Sequence, residues 1–277
     1  MASTLDKADF VVVTGTGGMG SAIARRLAPD RRLALLDIDG DKLDKVAGDL
    51  RQGGHDVTGT VLDVADAAAV SAFAAEVAGR GRISTLVHTA GISGNMADAE
   101  RIMAVNLAGT AHVIDAFEPF MGPGSSAVCI ASMGAIWVPV GVEVERQFAL
   151  APTDELVGIA RASRERAYRP DEAYCIAKRA NQLRVSAAAV RWGRAGARIN
   201  SISPGLIMTP MGELEARHTP EIGEIRKVSP IQRVGNAEDI AQAVEFLTGP
   251  NASFITGTDL AVDGGVIAAR LYGAGAA

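Results

Sequence analysis

Tyr174 and Lys178 stand four residues apart in the run Tyr174-Cys-Ile-Ala-Lys178, which reads as part of a long helix after Asp171. At that spacing both side chains leave the same helical face. An ammonium beside a phenol favours the phenolate, and a phenolate near neutrality is a base that can take an alcohol proton. Lowering a tyrosine from about 10 towards 7 is worth roughly 4 kcal/mol. One ammonium at ~4 Å supplies that much at an effective dielectric of about 20. The spacing alone is common on helices, so it gains weight only from what accompanies it. Ser132, 42 residues upstream, offers a hydroxyl able to hold a substrate oxygen.

A second set of residues suits phosphate. The run Thr14-Gly15-Thr16-Gly17-Gly18-Met19-Gly20 follows the apolar segment Phe10–Thr14 directly and satisfies G-x-G-x-x-G with Gly15, Gly17 and Gly20. Strand, glycines and helix in that order allow a tight turn and close approach of a pyrophosphate to free N–H groups. Asp37 ends the next apolar segment, 22 residues after Gly15, where a carboxylate accepts from an adenosine ribose. It would repel the additional phosphate of NADP. Neither Ile38 nor Asp39 supplies a cation, and Arg31 and Arg32 sit at the other end of the segment. The expected cofactor is NAD; the plainer alternative for Asp37 is a turn or helix cap.

These groups need a frame. Apolar runs at Phe10–Thr14, Leu33–Asp37, Thr58–Leu62, Thr85–Thr89, Ala127–Ala131, Arg198–Ser203 and Asp259–Val262 read as strands. Helical stretches separate them: Gly18–Ala28, from about Asp41, from Asp66 as N-cap, about Asp98–Phe120, the long helix after Asp171, and a capped start at Asn236. Buried strands with helical crossovers predict an α/β, Rossmann-type, doubly wound parallel sheet with helices on both faces. No linker or repeat divides it, so residues 1–277 are expected to form a single domain.

Composition narrows the function classes. Hydrophobic residues at 48% and charged residues at 21% exclude a disordered chain, and 4% aromatics leave little for stacking on nucleic acid bases. A net charge of −5 gives no footprint for a polyphosphate backbone. Cys129 and Cys175 are far apart, and His55, His88, His112 and His218 form no ligand motif, so no metal site is assigned. The N-terminal residues have no apolar signal core, and no run reaches the roughly 18 apolar residues of a membrane helix. A cytoplasmic protein with a small-molecule substrate is expected, without nucleic acid or membrane partners.

Taken in order, the motifs resemble the short-chain dehydrogenase/reductase family over nearly the whole chain. The matching segments are Thr14–Gly20, Asp63-Val64, Ala90-Gly91, Val105-Asn106-Leu107, Ser132, Tyr174 with Lys178, Pro204-Gly205 through Thr209, and Val262-Asp-Gly-Gly265. The resemblance implies hydride transfer between NAD(H) and a secondary alcohol or ketone, with Asn106, Ser132, Tyr174 and Lys178 as the catalytic set. Asn106 would hold a water that links Lys178 to solvent. Gly15, Gly17, Gly18, Met19 and Gly20 would cradle the pyrophosphate, with Asp37 and Ile38 at the ribose and Asp63 and Val64 at the adenine. Ala90, Gly91, Tyr174 and Lys178 would line the nicotinamide ribose. Pro204, Gly205, Ile207 and Thr209 would lie against the nicotinamide. It also implies a homotetramer or dimer through helices around 98–120 and 171–192.

Three departures stand out. The glycine loop is one residue shorter than the usual family form. His88-Thr89-Ala90-Gly91 replaces the usual Asn-Asn-Ala-Gly, so the sheet contact of the asparagine falls to Thr89. His88 is either a core residue or part of a proton relay. Finally, the segment at about 133–172 is an insertion, as in some hydroxysteroid dehydrogenase and carbonyl reductase relatives. It reads as a lid over an apolar pocket for a bulky, up to steroid-like, substrate, with a helix capped by Thr153; a surface excursion or subunit contact is the alternative. Met133, Trp137, Phe148 and Met208 are expected in the pocket, and a second covering segment at about 211–229. A dinucleotide-binding regulator without turnover and an epimerase or lyase are the rival functions.

Overall fold

The computed structural model describes residues 9–212 and 229–273, so most of the expected covering segment at 211–229 lies outside the described residues. Seven strands form one parallel sheet: β1 (Phe10–Thr14), β2 (Arg32–Asp37), β3 (Asp56–Val61), β4 (Ile83–His88), β5 (Ser126–Ile130), β6 (Arg198–Pro204) and β9 (Asp259–Val262). Between the last two, β7 (Ile207–Met208) and β8 (Gly235–Asn236) pair only with each other. The sheet order is β3-β2-β1-β4-β5-β6-β9, so the order reverses between β1 and β4. A crevice at the carboxyl ends of these strands is where such sheets bind ligands.

Every residue of β1, β4 and β5 is buried, which is why these segments read as unbroken apolar runs. Alternate residues feed two cores. Phe10 and Val12 pack with Phe73, Val113, Phe117 and Trp192 on one face, while Val11 and Val13 pack with Ile23, Leu43, Ile240 and Val244 on the other. The helices supplying these faces include α1 (Gly18–Leu27), α2 (Gly40–Gln52), α3 (Ala67–Arg80) and α9 (Ala237–Thr248). Asp39, Asp66 and Asn236 cap α2, α3 and α9, and Asn236 and Asp239 close a reciprocal box. No helix among the described residues is long and apolar enough to cross a membrane.

The expected 98–120 helix is present but not uniform. α4 (Ala99–Ile102) and α5 (Gly109–Phe117) are joined by a π turn over Met103–Ala108. The wider turn inserts a residue into the helical repeat and rotates Asn106 inward, where it is fully buried.

The insertion holds two helices, α6 (Val142–Leu150) and α7 (Leu156–Ala162), ahead of α8 (Pro170–Arg194). Phe148, Leu156, Ala160 and Tyr168 pack with Ile102, Met103, Leu107, Ala173, Ile176 and Ala177 in a third core. Phe148 was expected in the substrate pocket; it has no accessible surface and is a core side chain. Thr153 is not the cap of α7, whose first turn is preceded by a 3-10 turn at Thr153–Glu155. Its hydroxyl bonds Asp115 and accepts from Arg184 Nη2 at 2.6 Å, and Arg184 Nη1 donates to the Ala151 carbonyl at 2.8 Å. The insertion thereby covers the N-terminal half of α8, and that helix is buried on most of its circumference there.

Candidate active site

The glycine turn leaves β1 at the reversal point. Gly15 has φ +83°, and a Cβ there would come 2.7 Å from Ala90 N, so the turn lies flush against the end of β4. A Cβ on Gly20 would meet the Gly15 carbonyl at 1.9 Å, and one on Gly18 would meet Thr209 Cγ2 at 2.7 Å. Gly17 faces open space, and no side chain caps the start of α1. The structure thus leaves a helix N-terminus with an open backbone face, which fits a dinucleotide pyrophosphate.

Asp37, buried at the end of β2, accepts from Thr16 N at 2.6 Å and Thr16 Oγ1 at 2.9 Å, and from Asp39 N at 2.9 Å. It therefore also pins the turn it faces, a role for Thr16 that the motif did not reveal. Lys42 Nζ is 3.9 Å from Asp37 and 3.3 Å from Asp39, a cation placed there by the first turn of α2. Ile38 is exposed beside them. Asp63 accepts from Ala65 N at 2.9 Å and pairs with Arg101 at 2.7 Å; Val64 is buried against Gly109.

Ser132 ends the segment that continues β5 and caps a 3-10 turn at Met133–Ile136, accepting from Gly134 N at 3.1 Å. Lys178 is buried and donates to the Ile130 carbonyl at 2.9 Å, two residues before Ser132, with Nζ 5.6 Å from the Tyr174 ring centre. Tyr174 itself is half-buried on α8. A Cβ on Gly91 would lie 3.5 Å from Lys178 Nζ and 3.2 Å from Asn106 Oδ1. Asn106 bonds both backbone groups of Ile92, accepting at 2.9 Å and donating at 2.7 Å. β5, the π turn and α8 thus bring Asn106, Ser132, Tyr174 and Lys178 to one end of the sheet, beside the glycine turn.

Further out, Ile207 and Thr209 are buried behind α1, and Met208 between them is exposed. Met133 is buried, whereas Trp137 is half-covered. Gly205 is pressed on Asp263, whose Cα would lie 2.6 Å from a Cβ there, so the Pro204-Gly205 turn is locked to the end of β9.

Two sequence profiles cover the chain: one described as short chain dehydrogenase matches residues 9–142, and one described as Enoyl-(Acyl carrier protein) reductase matches 142–267. The short-chain dehydrogenase/reductase bsc3 of Alternaria brassicicola is 36% identical over 93% of this chain and 95% of its own. The galactitol 2-dehydrogenase (L-tagatose-forming) of Cereibacter sphaeroides is 34% identical over 91% and 92%. The crystal structure of levodione reductase superposes with a TM-score of 0.78 at 28% identity, covering 96% of this chain and all of that one. The chain belongs to the short-chain dehydrogenase/reductase family. It is an enzyme of that family's alcohol and ketone oxidoreductase class.

Against the family pattern, the departures in this short-chain dehydrogenase/reductase have local explanations. Thr89 replaces the usual asparagine, yet its hydroxyl lies 2.9 Å from both the Thr14 and Gly15 carbonyls and ties β4 to the glycine turn. His88 is a core residue. Its Nδ1 lies 2.6 Å from Thr14 Oγ1 and its Nε2 3.0 Å from Thr110 Oγ1. Burial first, and then the Lys178 charge, push its pKa down to about 3, so it is neutral under ordinary conditions. Thr110 donates to the Asn106 carbonyl at 2.8 Å and accepts from Asn181 Nδ2 at 3.0 Å, which joins β1, β4, the π turn and α8 in one buried polar chain. Burial likewise pushes the Cys129 thiol up to about 12, which leaves it an inert core group.

Proposed function

We propose that this enzyme moves a hydride between NAD(H) and a secondary alcohol or ketone, with Tyr174 as its acid and base. The observation that carries the reading is the gathering of Ser132, Tyr174 and Lys178 beside an open glycine turn. Lys178, fixed by the Ile130 carbonyl, holds positive charge near the phenol and favours its ionised form. Ser132 holds the substrate oxygen while that oxygen's proton passes to Tyr174. Asn106, braced on Ile92, supports a water path from Lys178 outward. When bound, NAD+ supplies the hydride acceptor. The chain's own part is to orient the alcohol and move the proton.

Gly15, Gly17, Gly18, Met19 and Gly20 would hold the pyrophosphate, with the ribose on Asp37 and Ile38. Asp63 and Val64 would take the adenine. Ala90, Gly91 and the Tyr174–Lys178 pair would meet the nicotinamide ribose, and Pro204, Gly205, Ile207 and Thr209 the nicotinamide. The insertion's half-covered apolar residues favour a substrate with an apolar alicyclic body, the steroid-like kind being the bulkiest version. Homo-oligomer formation is also proposed. The insertion covers much of α8, which leaves exposed apolar side chains such as Phe254 for a second copy. A cytoplasmic setting suits the two cysteines, both buried and neither in a disulfide.

A panel of secondary alcohols with NAD tests the reading. Tyr174→Phe is expected to lower kcat/KM by roughly 10²–10⁴ with NAD binding preserved. Equal rates would remove Tyr174 from the chemistry, and binding without net NADH formation by the parent would favour a regulator or an epimerase. Cofactor choice is tested by titration: Asp37→Ala should weaken NAD and relax discrimination against NADP, while Lys42→Ala should leave NAD preferred. Tighter binding of NADP by the parent would assign Lys42, not Asp37, the deciding role.

A further inference from the structure

The wall leading away from Ser132 ends in a positive charge. A Cβ on Gly134 would lie 3.4 Å from Ser132 Oγ and 3.7 Å from Trp137 Cε3, so the hydroxyl and the indole edge border the same small gap. Over the indole ring stands the Arg270 guanidinium, with Cζ 5.0 Å from the ring centre. Arg270 belongs to a short C-terminal helix, α10 (Val266–Tyr272).

That helix is firmly placed. Asp263 accepts from Gly265 N at 2.8 Å and from Ile267 N at 2.7 Å, and its backbone is pressed on Gly205 in the proposed nicotinamide turn. Val266 is buried, and Arg270 lies four residues on, along the same face. The side chain is therefore carried towards Trp137 by the geometry of α10.

A guanidinium stacked on an aromatic ring keeps its N–H edge for other partners. Arginines of the insertion and of α8 spend theirs on carboxylates: Arg161 on Glu100, Arg166 on Glu172, Arg169 on Asp171 and Arg179 on Glu145. Arg270 enters no ion pair or hydrogen bond among the described residues; its contact is Trp137. The adjoining side chains Ile136 and Val138 are apolar and partly exposed. With a net charge of −5, the protein repels anions in general, so an anionic substrate group needs a local cation.

We propose that Arg270 is a specificity-determining residue, and that the preferred substrates are secondary alcohols or ketones with an apolar body and a carboxylate remote from the reacting carbon. This deepens the oxidoreductase reading and rests on it. The carboxylate pairs with the guanidinium edge, the apolar body lies along Trp137, and the reacting oxygen reaches Ser132 and Tyr174. Stacking on the indole limits the guanidinium's motion before binding and reduces the entropy lost on pairing.

The test compares a cyclohexanone bearing a para carboxylate with the same ring bearing a para methyl group, using NADH. Arg270→Gln is expected to raise KM for the carboxylate by about tenfold, to leave the methyl ketone within about twofold, and to preserve kcat for both. Arg270→Lys should give an intermediate KM, since it keeps the charge and loses the planar fork. A shift shared equally by both ketones, or by neither, overturns the proposal. The same ketones are also titrated against the NAD+-loaded protein by tryptophan fluorescence, which Trp137 can report because Trp192 is fully buried. Selective loss of carboxylate binding in Arg270→Gln supports the proposal even if neither ketone is reduced, and then the oxidoreductase reading alone fails. Equal binding by variant and parent overturns it.

Discussion

Between β5 and α8 the chain first runs apolar and partly exposed, from Ile136 to Val140, and then, within α6, turns inward at Phe148. In the first stretch Trp137 lies beside Ser132 and keeps part of its ring in contact with solvent. In the second, Phe148, Leu156 and Ala160 have no accessible surface and pack on the π turn and α8. The two stretches share an insertion but obey different physics. Surface beside a site is free to vary with the ligand, whereas a packed core tolerates neither cavities nor polar intrusions. Selectivity should therefore be sought before residue 142 and stability after it.

The sharpest way to break this contrast is Phe148→Ala. Emptying a fully buried phenylalanine site costs about 3–5 kcal/mol, so a large fall in Tm is expected, with KM little changed in the protein that remains folded. A KM change at constant Tm would return Phe148 to the pocket and erase the distinction.

A smaller effect is expected at the seam where the insertion meets α8. Glu172 accepts from Arg169 N at 2.9 Å and pairs with Arg166 at 2.6 Å and Arg164 at 3.3 Å. The hydrogen bond from Arg166, above all, lowers its pKa to about 2. Because the folded value lies below the unfolded one of about 4.3, the contribution is present above that pH and is lost as pH falls towards 2. Parent Tm should drop over this window more than that of Glu172→Gln, which lacks the ionisable group. His88, neutral and buried, adds an acid loss that begins higher, below about 6.5, and is common to both proteins. Parallel curves would mean the seam is held by packing alone.

The smallest effect is expected at Arg161, which pairs with Glu100 while both side chains are about 60% exposed. Arg161→Gln should cause only a slight loss of stability in chemical denaturation. A larger loss would show that α7 is held by its charges as well as by Leu156 and Ala160.

Much of this was legible in the sequence, for identifiable reasons. The buried strands of a two-sided sheet leave unbroken apolar runs, so β1, β2, β4, β5, β6 and β9 were readable to within a few residues. Caps such as Asp66 and Asn236 announce themselves by residue type. The π turn left no trace, because one inserted residue in six does not disturb an apolar pattern enough to be seen. α6 did leave one: Val144, Phe148 and Ala151 recur at helical spacing, and reading that face would have put Phe148 in a core. Thr16, Lys42 and Arg101 were invisible as site residues, since only the folded chain brings them to Asp37 and Asp63. Arg184 is the same kind of case, gathering Asp115 from α5 and Ala151 and Thr153 from the loop after α6.

The Thr14–His88–Thr110–Asn181 chain has a practical consequence. Thr110 commits its hydroxyl proton to the Asn106 carbonyl, so the imidazole of His88 carries its own proton on Nε2 and offers Nδ1 to Thr14. That proton exchanges with solvent only when β1, β4, the π turn and α8 come apart. A single slowly exchanging ring resonance in an NMR spectrum would then serve as an internal gauge of docking between the nucleotide-side strands and the helix bearing Tyr174, readable without disturbing either.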